Sequence, residues 1–147
     1  MSGRLVVVLL ALLLAAGVGS AMAQRSDSLP PAVATAFHQA YPNATILNVS
    51  RELQEGKVVY EIESQDGPMR RDLLYGVDGQ TLEIEEILPA DSVPAAVRAA
   101  VERDLAGATI LGGERIMRGA VTLYEVQLKK GGRTQIFTYD PAGVRKE

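Results

Sequence analysis

From Val58 the chain alternates apolar and charged positions: Val58, Tyr60 and Ile62 against Glu61 and Glu63. A period of two predicts a strand with one dry face and one wet face. Thr122, Tyr124, Val126 and Leu128 repeat the pattern against Glu125 and Gln127. Further upstream, in each half, the period changes. Leu29, Val33, Phe37, Ala40 and Tyr41 recur at spacings of three and four, as do Val93, Val97, Ala100, Val101 and Leu105. Each set predicts a helix with a single apolar stripe. Ser28 and Ser92 suit the N-cap, Pro30, Pro31 and Pro94 fall in the first turns, and Pro42 and Gly107 stand where the helices should stop. Asp66-Gly67, Asp78-Gly79 and Gly131-Gly132 supply hairpin turns, with Gln54-Glu55-Gly56 and Arg118-Gly119-Ala120 marking the others. The first half therefore reads as helix, then strands near 45–53, 57–64, 69–76 and 80–88. The second half repeats this, its last strand reduced to Val144–Glu147.

The halves are copies. Ala44-Thr45-Ile46-Leu47 recurs at Ala108-Thr109-Ile110-Leu111, and at the same displacement of 64 residues Tyr60-Glu61 meets Tyr124-Glu125. Gly67, Tyr75 and Gly79 likewise meet Gly131, Tyr139 and Gly143. Such a period marks a duplicated structural unit, here residues 27–90 and 91–147. One unit of about 60 residues buries too little surface to be comfortable alone, and the connection Leu88-Pro89-Ala90-Asp91 is short. The expectation is one α+β domain over residues 24–147. In it a single antiparallel sheet of seven or eight strands carries both helices on one face, and Phe37 and Tyr60 lie in a shared core.

The N-terminus changes where this domain is expected to work. LVVVLLALLLAAGVG, from Leu5 to Gly19, is an uninterrupted apolar and small-residue run behind Arg4, and Ala21 and Ala23 precede Gln24. This is the layout of a secretory signal over residues 1–23, cleaved between Ala23 and Gln24. The expected location is the periplasm or the medium, with no membrane anchor after cleavage. Losing Arg4 and no acid takes the formal charge from −3 to −4. An acidic surface repels phosphates and anionic headgroups, which argues against nucleic acid or membrane as partners. There is no cysteine, and so no disulfide framework and no thiolate site.

Candidate chemistry is sparse. His38 is the one histidine, and Glu102 takes its place in the second half. No Gly-x-Ser-x-Gly elbow or phosphate loop is present. Carboxylates remain: Glu61, Glu63, Glu83 and Glu85 should share the wet face with Arg70 and Asp72. Paired acids can hydrolyse glycosides and clustered acids can hold Ca²⁺, so a small exported hydrolase or a divalent-cation sensor is an alternative. Alternating acids are also what any half-wetted strand shows. The principal expectation is a non-catalytic protein with no cofactor. Its contact surface is the sheet face opposite the helices, with Glu61, Glu63, Arg70, Asp72, Glu125 and Gln127 as contributors.

The stretch SLPPAVATAFHQAYPNATILNVSRE, followed by KVVYEIES and LLYGVDGQTLEIEE, resembles the PepSY-like family, also described as β-lactamase-inhibitor-like. The resemblance spans about residues 28–147. The second half departs from the pattern: Leu105-Ala106-Gly107-Ala108 replaces the family's tyrosine-proline pair, and Pro141-Ala142-Gly143 replaces its aspartate-glycine turn. The resemblance implies an exported protein of helix-plus-antiparallel-sheet repeats, similar in shape to secreted β-lactamase inhibitor protein, in which a curved sheet face engages an enzyme. It implies modulation or inhibition of an envelope or secreted protein, such as a peptidase, and it carries over no catalytic residues.

Overall fold

The computed structural model describes residues 28–146; the expected signal segment, 1–23, lies outside the described residues. Helix α1 (Pro31–Ala40) leads into strands β1 (Thr45–Gln54), β2 (Lys57–Asp66), β3 (Met69–Gly76) and β4 (Thr81–Pro89). A 3₁₀ turn (Ala90–Ser92) then introduces α2 (Ala95–Asp104), followed by β5 (Thr109–Arg118), β6 (Val121–Lys130), β7 (Arg133–Tyr139) and the two-residue β8 (Arg145–Lys146). Each strand pairs antiparallel with its successor, giving one sheet in the order β1 to β8. The junction pair β4–β5 runs from Ile84↔Met117 to Pro89↔Gly112 and joins the two repeats edge to edge. Among the described residues no helix is long and apolar enough to cross a membrane.

The helix starts differ from the sequence expectation. Pro30 and Pro94, not Ser28 and Ser92, hold the cap positions, and neither helix has a side-chain cap. The Ser92 hydroxyl instead donates to Asp91 Oδ1 at 3.3 Å. A proline ring fixes φ, so these prolines lower the entropic cost of starting the helix without help from a hydroxyl. The helix ends are alike in shape and different in chemistry. Tyr41 and Leu105 leave the helix at φ −133 and −146. Pro42 disfavours a helical residue before it. In the second repeat Gly107, at φ +74, does the turning.

The repeated Ala-Thr-Ile-Leu has a structural meaning. In both repeats the strand register slips at its leucine, between Ile46 and Asn48 and between Ile110 and Gly112. Leu47 and Leu111 are the extra residues and are exposed, at 48% and 45%. A bulge of this kind reverses which residues face which side. Ile46 and Val49 therefore share the helix-covered face, while Asn48, Ser50 and Glu52 turn to the other.

The expected shared core is corrected. Val33 and Phe37 of α1 pack with Ile62, Leu73 and Tyr75, while Tyr60 and Tyr41 are partly buried at the margin. Val97, Ala100 and Val101 of α2 pack with Val126, Leu128, Phe137 and Tyr139 in a second cluster. Helix α1 dries β1 to β4 and α2 dries β5 to β7, while both residues of β8 are exposed. Between the clusters, on the same face, stands Glu86, 6% exposed. It accepts a hydrogen bond from Arg71 Nε at 2.9 Å and another from Arg115 Nη2. Arg71 lies 5.1 Å from the centre of the Tyr41 ring. Burial pushes the Glu86 carboxyl upward, but the bonds from Arg71 and Arg115 outweigh it and hold the group below its ordinary range. A charged triad at the junction cannot also be a place where two apolar cores merge.

Candidate functional site: the open sheet face

The face away from the helices is assembled by strand register. Glu61, Glu63 and Gln65 of β2 stand opposite Leu74, Asp72 and Arg70 of β3. Asp72 in turn faces Glu85 of β4, and Leu74 faces Glu83. Across the junction Glu85 meets Ile116 and Ile87 meets Glu114. Glu114 then pairs with Glu125, and Glu125 with Thr138. All six residues expected from the sequence lie on this face. Glu61, Glu63, Arg70 and Asp72 form one continuous group. Glu125 lies across the junction on β6, and Gln127, opposite Ile136, lies two residues further along the same strand.

The sequence reading missed Glu114, Glu52 and Arg118, all on this face. The bulges at Leu47 and Leu111 explain the first two, since simple alternation through β1 and β5 assigns those residues to the wrong side. Glu114 aligns with Ser50 of the first repeat, so the duplication pointed to no acid there either.

Two of the acids are neutralised. Arg70 Nη2 lies 3.0 Å from Glu63 Oε2, and Arg118 pairs with Glu83. Asn48 Nδ2 also donates to Glu63 at 3.1 Å, and Ser50 Oγ to Glu61 at 3.2 Å. The remaining acids crowd one another. Burial, with the Glu52 carboxylate beside it and a smaller push from Asp72, raises Glu61 to about 7, against a bond from Ser50. Burial and the charges of Glu85, Glu125 and Asp72 likewise raise Glu114 to about 7. Asp72 is raised by burial and by Glu63, partly offset by Arg70. Glu85 is raised by burial, Asp72 and Glu125, and Glu125 by burial against the pull of Arg118. Like charges held together in a partly dry setting favour the protonated form.

Among the described residues no three His, Asp or Glu side chains converge as a metal ion would require. The acids are spread along a surface one strand apart instead of pointing into a common cage. His38 is exposed on α1, edge-on to Phe37 at 5.3 Å, away from this face. Apolar residues lie among the acids: Ile116 is 6% exposed between them, and Ile136 at the β7 side is 49% exposed.

The architecture is therefore that of a helix-backed antiparallel sheet made from two repeats, one face covered and one left open. The family described as "Putative beta-lactamase-inhibitor-like, PepSY-like" matches residues 21–83 and again 75–144, and the chain belongs to that family. No curated protein matches it. Among solved structures it is similar to a DUF2874 family protein from Bacteroides ovatus, with TM-score 0.67 and 16% identity over 83% of this chain and 87% of that one. A BLIP-like protein from Bacteroides fragilis gives TM-score 0.63 and 20% identity, covering 82% and 86%. A protein from Bacteroides eggerthii named as periplasmic gives 0.67 and 15%, covering 82% and 87%. At these identities the likeness is one of fold.

Proposed function

We propose that this chain is an exported, non-catalytic binding module that works in the periplasm or outside the cell by engaging another envelope or secreted protein, such as a peptidase, through its open sheet face. The observation that carries this reading is the face itself. Eight strands hold an uncovered surface in fixed register, with partly buried acids and apolar residues interleaved. A surface of that kind recognises by shape and charge. The family membership and the similar solved structures support the fold on which the reading depends. The periplasmic neighbour supports the location, together with the signal pattern read from residues 1–23.

The test is retention from an envelope extract on immobilised protein lacking residues 1–23. A specific protein should be held by the wild type, lost on the charge reversal Glu61→Lys/Glu63→Lys, and kept by Glu102→Lys on α2. Retention indifferent to the sheet-face reversal contradicts the proposal, as does a complete absence of retained protein. Intact mass of the exported protein tests the leader: a chain starting at Gln24 is expected, and one retaining residues 1–23 contradicts cleavage.

A further inference from the structure

The open face is not uniformly acidic. Four of its unneutralised acids gather where the repeats meet, apart from the Glu52–Glu61 pair on β1 and β2: Asp72 on β3, Glu85 on β4, Glu114 on β5 and Glu125 on β6. Asp72 faces Glu85 and Glu114 faces Glu125 in register. Glu114 feels the charges of all three others. The flanking acids Glu63 and Glu83 each have an arginine, whereas these four take part in no ion pair and accept no side-chain hydrogen bond among the described residues. Asp72 is 8% exposed, and its Oδ1 is buried without a hydrogen-bond partner. A buried acceptor left unmet in this way is costly unless something supplies the donor.

The site exists only because the chain is duplicated and joined. The residues displaced by 64 from Asp72 and Glu114 are Ile136 and Ser50, so neither repeat contains the cluster by itself. Two acids come from each repeat, and the β4–β5 pairing brings them together.

We propose that this junction cluster receives a cationic side chain, arginine or lysine, projecting from the partner protein. The inference rests on the binding reading above and names the chemistry of its partner. Charge complementarity carries it: none of the four acids is in an ion pair, the nearby Arg70 and Arg118 are paired with Glu63 and Glu83 and only partly offset Asp72 and Glu125, and Asp72 keeps an unmet buried oxygen. An arginine or lysine head supplies several donors on a long apolar stem. Leu123 and Leu74, half-buried on the same face, can pack against such a stem. A second copy of this chain does not fit, because it would bring the same four acids. A bare divalent ion fits poorly, because no three of the acids converge.

The test is a titration of the mature protein at pH 8 and 150 mM NaCl, followed by side-chain carboxyl ¹³C resonances. The titrants are acetyl-Gly-Arg-Gly-Arg-Gly-amide, its lysine counterpart, its citrulline analogue, and CaCl₂. Saturable shifts at Asp72, Glu85, Glu114 and Glu125 with the arginine or lysine peptide are expected, and none with citrulline. The double variant Glu85→Gln/Glu114→Gln should weaken the peptide at least fivefold, and Glu102→Gln should leave it unchanged; Glu125→Gln serves if the double variant does not fold. Equal shifts at every acid, an effect of citrulline, or sub-millimolar Ca²⁺ binding with no response to the peptides overturns the proposal. If Glu61→Lys/Glu63→Lys abolishes retention from the extract while Glu85→Gln/Glu114→Gln does not, the open-face reading stands and this inference fails alone.

Discussion

Glu61 and Glu114 hold their protons to about pH 7 in the folded protein, and an unfolded glutamate releases its proton near pH 4.3. Between those values the folded state binds more protons than the unfolded state, so stability falls as pH rises through the window and is lowest above it. Glu52, Ser50 and Asp72 act on Glu61, and Glu85, Glu125 and Asp72 act on Glu114. Glu86 has the opposite sign: its carboxyl is held low, so its contribution is present above the usual carboxylate range and lost as pH falls. Glu61→Gln and Glu114→Gln should each raise the melting temperature at pH 8 and change it little at pH 5, as read by circular dichroism. A shift equal at both pH values contradicts the crowding of acids on the open face. Glu86→Ala should cost about 3 kcal/mol in urea unfolding, since removing one member of a buried ion pair strands its partners. A loss under 1 kcal/mol would mean that the triad contributes little.

At the scale of elements, the sequence carried the strand boundaries closely. The expected 69–76 is β3 as observed, and 57–64 is β2 short by two residues. Alternation is a direct consequence of the pleat, so it is legible wherever the register is unbroken. The bulges are not legible that way. Leu47, Leu111 and the slip between Leu74 and Tyr75 against β4 each reverse the faces, and Glu114 was lost to the reading for that reason. The caps were misread because Pro30 and Pro94 make a serine cap unnecessary. A pair of glycines was legible, although its full role was not. Gly79 and Gly143 both have positive φ, and a Cβ on either would come within 2.6 Å of a helix carbonyl, Ala32 O or Ala96 O. These turns pack against the first turn of their own helix. Gly79→Ala and Gly143→Ala should each cost at least about 2 kcal/mol, from the left-handed conformation together with the backbone clash. Equal stability to wild type by urea unfolding would show that the turns do not bear on the helices.

For the whole molecule, one sheet spans two separately dried cores with a charged triad between them. Substitutions in different cores, such as Val33→Ala and Val97→Ala, should therefore add within about 0.5 kcal/mol. A larger coupling in urea unfolding would point to the pooled interior expected from the sequence. The sequence showed that there were two units, but Arg71, Glu86 and Arg115 looked like ordinary strand charges until the register brought them together on the dry side. The open face depends on the same construction, because its acidic centre spans the junction. Carbodiimide labelling of the carboxylates, with and without the protein retained from envelope extract, tests the central claim most directly. Protection of Asp72, Glu85, Glu114 and Glu125 with unchanged labelling of Glu55, Asp91 and Glu102 is the predicted result. Protection confined to acids of the helix side, with the four junction acids still reactive, would contradict it.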